Sequence, residues 1–140
     1  MNPVKKTAVI HDLSGFGKCS LTAAIPILSV MGVQAVPLPT AVLSGQTGYG
    51  DYVCEDFTAP MSSISKLWKR QAVEFDGIYS GFLLNERQAD QILEFIRDFS
   101  GRETLVVVDP VLGDNGKRYD IFDSQMELAA GRLAEQAHVI

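Results

Sequence analysis

Four short segments carry the glycines, hydroxyls and carboxylates that could contact a ligand. Each follows a short apolar stretch, and they are residues 12–18, 44–51, 81–82 and 109–114. Glycine lets the backbone approach a bound molecule closely, and carboxylates bind cations or hydrogen-bond donors. A small-molecule site built from these segments is therefore the first hypothesis that the sequence supports.

The segment 12–18 contains two glycines and precedes a predicted helix. Backbone N–H groups at the start of a helix favour a polar or anionic ligand. A P-loop would need glycine at Asp12 and serine or threonine at Cys19, and the dinucleotide fingerprint would need a third glycine. The pattern predicts a ligand-contacting turn, with a tight turn capped locally by Asp12 as the alternative.

The run Thr47-Gly48-Tyr49-Gly50-Asp51 follows the second predicted strand. Its glycines would let the backbone approach a flat ligand or move as a flap. Loop flexibility without any ligand is the alternative.

Two acids, Asp109 and Asp114, follow a strand that consists largely of β-branched residues. A carboxylate at the end of a strand and another five residues later can face the same crevice. Such a pair suits magnesium, held directly or through water, together with nucleotide phosphates. A pair of solvated loop acids is the alternative.

Alternating strands and helices must position these segments. The apolar patterns predict strands at 7–11, 34–43, 77–80 and 104–108, helices at about 20–31, 64–72, 86–99 and 123–136, and a further strand beginning at 138–140. Such alternation indicates an α/β fold with a parallel sheet covered on both faces. Ligands of such sheets bind beyond the carboxyl ends of the strands, which is where the four segments fall.

Three local features refine this assignment. Ser20 is the predicted N-cap of the first helix, and Gly32 its stop. Pro37 and Pro39 predict that the second strand is short or has an interrupted ladder. Residues 44–56 are expected to form a loop or a small hairpin.

Composition narrows the possible partners. The formal net charge of -5 gives no diffuse positive field for nucleic acid or anionic lipid. Cys19 and Cys54 lie far apart, so neither a disulfide framework nor a zinc site is predicted, and a reduced cytoplasmic setting fits best. Residues 19–50 lack charge, but their prolines and Gly32 favour a buried helix followed by a buried strand over a membrane span.

The order of four motifs adds a specific resemblance. HDLSGFGKCSLT, LSGQTGYG, YSGF and VVDPVLGDNGKRY are together similar to the pyridoxal and pyridoxamine kinases of the ribokinase-like superfamily. The resemblance spans nearly the whole chain. It implies a ribokinase-like fold and ATP-dependent phosphorylation of the 5′-hydroxymethyl group of a vitamin B6 vitamer, with Mg²⁺, in pyridoxal 5′-phosphate salvage. It also implies a homodimer in the complete enzyme.

The resemblance assigns Asp12, Ser14, Thr47 and Phe82 to the vitamer. Asp12 stands where B6 kinases often have a serine that contacts the ring nitrogen, whereas hydroxymethylpyrimidine phosphate kinases often have aspartate there. Phe82 replaces the usual tyrosine, and so keeps a stacking surface without the hydroxyl.

The same resemblance places Asp109, Asp114 and Tyr119 on the nucleotide and metal side, and Gly48 and Tyr49 in a flap over the substrate. It gives no role to His11 or Cys19, which are interpreted as structural.

The catalytic aspartate of these kinases belongs to a Gly-Thr-Gly-Asp motif that the resemblance places beyond Ile140. Residues 48–51 are similar to it in letters but lie in the flap. We therefore expect residues 1–140 to form the N-terminal, vitamer-binding part of one kinase domain, inactive by itself. A hydroxymethylpyrimidine kinase, favoured by Asp12 and disfavoured by residues 47–49, is the enzymatic alternative. A non-catalytic binding module or decayed fragment is the other.

Overall fold

The computed structural model describes residues 4–114, 116–119 and 122–140. The strands are β1 (Lys6–Phe16), β2 (Gln34–Gly45), β3 (Cys54–Asp56), β4 (Gly77–Ser80), β5 (Leu105–Val108), β6 (Gly113–Asp114) and β7 (Lys117–Arg118). The helices are α1 (Ser20–Val30), α2 (Thr58–Arg70), α3 (Glu86–Phe99) and α4 (Ser124–Ala134).

The main sheet has the order β3-β2-β1-β4-β5. Strands β2, β1, β4 and β5 are parallel, and β3 pairs antiparallel to β2 at one edge. Beside β5, Val139 forms a parallel bridge with Val107, which agrees with a strand beginning at 138–140. The predicted parallel α/β sheet is confirmed. Of the loop and the small hairpin expected at residues 44–56, the structure shows the hairpin.

Helices cover both faces of this sheet. Ala8 and Ile10 of β1 belong to the core cluster that includes buried residues of α2, α3 and α4. Val9 and Leu21 are also buried but lie outside that cluster, and α1 contacts β1 and β2. Since successive strand residues face opposite sides, α1 covers the second face.

Strand β1 is longer than its sequence predicts. The turn expected at 12–18 is wrong for its first part, because the strand pairs with β2 as far as Phe16 and Gly45. Gly15 was a reason to expect a turn, but a Cβ there would lie 3.0 Å from the Ser44 carbonyl oxygen. The glycine therefore serves a close approach of two strands. The chain turns only at Gly17, whose φ is 103°.

The pairing of β2 with β1 extends past both of its prolines, with one register shift directly after Pro39. Gln34 donates its N–H to the Lys5 carbonyl, and the register continues through Pro37 and Pro39. Alternate residues of a parallel strand point their N–H groups to opposite neighbours. Both prolines therefore place their missing N–H on the side away from β1, where β3 pairs only with residues 41–43. The expectation of a short strand was wrong for this reason, whereas the register shift after Pro39 agrees with the alternative of an interrupted ladder.

The ends of α1 differ partly from prediction. Its N-cap is Cys19 rather than Ser20, and the Cys19 N–H donates to Thr22 Oγ1 at 3.2 Å. Gly32 follows the helix with a φ of 77°, as expected for a stop. Pro26 lies within the helix without ending it. None of the helices in the described part of the chain has the length and apolar character needed to cross a membrane.

Candidate functional site

A cavity of about 700 Å³ lies at the carboxyl ends of β1, β4 and β5. Its walls include many of the residues that the sequence predicts for a site, namely Asp12, Ser14, Thr47, Phe82, Asp109 and Tyr119. The N-terminal part of α1 completes the wall through Ser20 and Ala23. The position agrees with the rule that ligands of parallel sheets bind beyond the carboxyl ends of the strands.

Asp12 and Ser14 form a buried pair at one end of this cavity. Asp12 is 4% exposed and Ser14 1%. The Ser14 hydroxyl donates a hydrogen bond of 2.7 Å to Asp12 Oδ2. Among the described residues, Oδ1 has no hydrogen-bond donor and the carboxylate has no ion-pair partner. One oxygen of a buried carboxylate is thus left to a ligand.

His11 lies beside this pair and was interpreted from sequence as structural. Its ring is buried, contacts the Tyr79 ring edge-on at a centroid distance of 4.5 Å, and lines the cavity. Nε2 has no hydrogen-bond partner in the described part of the structure. Burial lowers the pKa of His11, against the opposing charges of Asp12 and Asp109.

Gly81 makes room for that imidazole. A Cβ at Gly81 would lie 1.9 Å from the His11 Cε1 atom. At that distance the ring or the backbone would have to shift, so only glycine fits beside this imidazole. The glycine of the YSGF motif therefore shapes the cavity wall. Sequence analysis marked this glycine as part of a candidate segment but did not link it to His11.

A buried hydrogen-bond network fixes the loop that carries Phe82. Thr40 Oγ1 donates to the Phe82 carbonyl at 2.9 Å. The fully buried Gln88 donates from Nε2 to the Thr40 carbonyl at 2.7 Å and accepts the Leu84 N–H at 2.8 Å. These bonds join β2, α3 and the loop after β4, so Phe82 is held at the cavity by groups distant in sequence.

The predicted flap is a 3-10 turn at Thr47–Tyr49. Thr47 lines the cavity, whereas Gly48 and Tyr49 do not. The Tyr49 ring is 64% exposed and instead packs against Phe16 at 5.5 Å. Leu43 and Tyr52, which lie just outside the predicted segment 44–51, also line the wall, as does Gln46 within that segment.

Asp109 lines the same cavity from the loop after β5. Its side chain is exposed, and its Oδ1 accepts the Val111 N–H at 3.1 Å. Val111 has a φ of 42°, an uncommon conformation for a β-branched residue. Burial and the charge of Asp109 raise the pKa of Tyr79.

The predicted partner of Asp109 is only partly described. The backbone of Asp114 lies in β6, but its side chain lies outside the described residues, as does the whole of Asn115. In the described part of the chain, no group of three or more His, Cys, Asp or Glu residues could hold a metal ion. Apart from the buried Asp12, Asp109 is therefore the one carboxylate that the described residues bring to the cavity wall.

Proteins of known structure share this architecture. A candidate phosphomethylpyrimidine kinase from Bacteroides thetaiotaomicron is 48% identical, with a TM-score of 0.95 over 99% of this chain and 48% of that one. A second crystal form of it contains pyridoxal. Pyridoxal kinase from Lactobacillus plantarum is 32% identical, with a TM-score of 0.86 over 94% of this chain and 47% of that one.

The chain has a ribokinase-like fold. The resemblance to vitamin B6 kinases that the motifs predicted is confirmed, and pyrimidine kinases are similar as well. A curated relative, pyridoxal kinase PdxY from Granulibacter bethesdensis, is 24% identical over 132 residues, which are 89% of this chain and 46% of that protein. No family model matches the chain. The chain spans about half the length of these ribokinase-like relatives.

Proposed function

We propose that this chain is the vitamer-binding part of an ATP-dependent kinase that phosphorylates the 5′-hydroxymethyl group of pyridoxal, pyridoxine or pyridoxamine. The observation that carries the proposal is that Asp12, Ser14, Thr47 and Phe82 line one cavity. The pyridoxal in the 48% identical Bacteroides protein supports the same ligand class.

The two ends of the cavity have separate roles in this proposal. Asp12 and Ser14 bind the ring nitrogen, and Phe82 packs near the ring. Asp109 and Tyr119 lie on the side of ATP and Mg²⁺. A single carboxylate from the described residues fits a metal held mainly through water and phosphate oxygens. When bound, Mg²⁺ would neutralise charge on the phosphates.

The proposal assigns no general base to residues 1–140. Asp51, which the Gly-Tyr-Gly-Asp letters would suggest, is exposed and does not line the cavity. Asp12 is held by Ser14 at the end assigned to the ring nitrogen. The proposal therefore assigns substrate binding to this chain and takes the base from the kinase motif absent in residues 1–140.

Calorimetric titration of the chain with each B6 vitamer tests the proposal. We expect binding by the wild type and a loss of about 10- to 100-fold in affinity for Asp12→Ala, because a charge-assisted hydrogen bond is removed. Asp51→Ala is the matched control, since it removes an exposed acid that does not line the cavity. Absence of vitamer binding, or equal losses in both variants, would contradict the proposal.

A hydroxymethylpyrimidine kinase is the second candidate. The aspartate at position 12 and the assignment of the Bacteroides protein favour it. Titration with hydroxymethylpyrimidine beside pyridoxine separates the two, because the proposal requires tighter binding of the vitamer. Tighter binding of the pyrimidine would reverse the order of the candidates.

A further inference from the structure

The Asp12 carboxylate is buried without a compensating positive charge. It is 4% exposed, and no Lys or Arg lies among the described residues that line the cavity. Transfer of an ionised carboxylate out of water is costly unless a cation or several donors compensate it. The single donor observed in the described structure is the Ser14 hydroxyl.

Neighbouring groups do not supply that charge either. Asp109, the other ionisable acid side chain described in the wall, adds negative charge. His11 is the remaining basic group in the wall, and burial lowers its pKa from an ordinary value of 6.5, so the imidazole is neutral at pH 7. Tyr52, Tyr79, Tyr119 and Cys19 are neutral or negative in either state. Among the described residues no positive charge lines the cavity beside Asp12, and a cationic ligand would supply one.

The direction of the Ser14 hydrogen bond adds a second constraint. An ionised carboxylate only accepts hydrogen bonds, and the Ser14 proton is already directed at Oδ2. An unprotonated ring nitrogen also only accepts, so it would meet a second acceptor at Oδ1. A ring nitrogen that carries a proton donates to Oδ1 and supplies the missing charge.

From these observations we propose that the cavity selects heteroaromatic rings whose nitrogen is protonated, with Asp12 holding the N–H⁺ group and Ser14 positioning the carboxylate. The inference rests on the proposed function and specifies the ionic form of the ligand. Where the resemblance places serine in B6 kinases, the ring nitrogen would have a neutral contact. In this chain Asp12 would pair with it by charge.

The test compares pyridoxine with its benzene analogue, in which C–H replaces the ring nitrogen. By calorimetry at pH 7, we expect the wild-type chain to bind pyridoxine about 10- to 100-fold more tightly, as charge-assisted hydrogen bonds predict. This comparison uses only the wild-type protein and so does not depend on a variant that folds. Equal affinities would overturn the inference and the contact of Asp12 with the ring nitrogen but leave vitamer binding in the cavity intact, whereas failure to bind either ring would overturn the proposed function as well.

Two variants then locate the preference. Asp12→Asn can donate to an unprotonated nitrogen, but it carries no charge, so the preference should fall to within about threefold. Ser14→Ala keeps the charge but frees its orientation, so an intermediate preference is expected. Asp51→Asn should retain the wild-type preference. Tight, nitrogen-dependent binding by Asp12→Asn would overturn the inference, because it would show a neutral hydrogen bond to an unprotonated ring.

Discussion

Asp12 and Asp109 both line the cavity, but the first is buried and the second is exposed. Asp12 is 4% exposed and accepts a hydrogen bond from the buried Ser14 hydroxyl. Asp109 is exposed, and its Oδ1 accepts a backbone N–H from the loop after β5. A buried carboxylate binds one defined donor, whereas an exposed carboxylate suits a hydrated partner such as a metal with its waters. In the proposed function, the wall around Asp12 is the vitamer end and the wall around Asp109 is the nucleotide end.

The largest effect is expected on the rate of phosphoryl transfer by the chain alone. Incubated with magnesium, ATP and each vitamer, the 140-residue chain should form 5′-phosphate at least about 100- to 1000-fold more slowly than a complete kinase, because residues 1–140 do not contain the Gly-Thr-Gly-Asp motif to which the proposal assigns stabilisation of the transferred group. Chromatographic detection of the product measures this. Turnover near that of a complete kinase would contradict the division of roles, and Asp51→Ala would then be the first variant to assay.

The rigidity of the vitamer end can be tested through Gln88. Gln88→Ala should lower the free energy of unfolding by about 1–3 kcal/mol, since it leaves the Leu84 N–H without a partner and removes one of the two donors to the buried Thr40 carbonyl, the other being the Phe57 N–H. Denaturant titration measures the loss. Gln91→Ala, on the same helix, is the control, because its Oε1 has no partner within the described structure. Similar losses in both variants would show that the network does not stabilise this end.

Acid should weaken the protein partly through His11. Its pKa is lowered in the folded state, mainly by burial, so the unfolded chain binds the proton more readily. The stabilisation is fully present above the ordinary pKa of 6.5 and is lost as pH falls through the lower folded value. Relative to wild type, His11→Gln should thus lose less stability between pH 7 and pH 5 by denaturant titration. Parallel pH profiles would contradict this.

The smallest effects on the chain itself are expected at the nucleotide end. Asp109→Asn should change the free energy of unfolding by less than about 0.5 kcal/mol, because the side chain is exposed. Vitamer affinity by calorimetry should stay within about twofold. In a complete enzyme, the same substitution and Asp114→Asn should impair magnesium dependence or nucleotide affinity. Normal magnesium dependence in both would reassign these acids as solvated loop residues.

Local sequence signals were sufficient to predict the bounds of some elements. The bounds of β4 (Gly77–Ser80) and α3 (Glu86–Phe99) agree with prediction. In α3 the helical spacing of apolar residues coincides with an Asn85 cap that accepts the Gln88 N–H. The turn predicted within β1 and the short strand predicted for β2 were wrong, because glycine and proline were judged without knowing which side of each strand had a neighbour.

The sequence by itself determined the alternation of strands and helices, the four ligand-facing segments and the resemblance to B6 kinases. These follow from periodicity and from residue types at the ends of strands. Only the tertiary structure decided that Asp12 is buried with no cation beside it among the described residues, that Gly81 accommodates His11, and that Thr40 and Gln88 anchor the Phe82 loop. Burial and hydrogen-bond partners depend on residues brought together from separate strands and helices, and no local pattern encodes those distances.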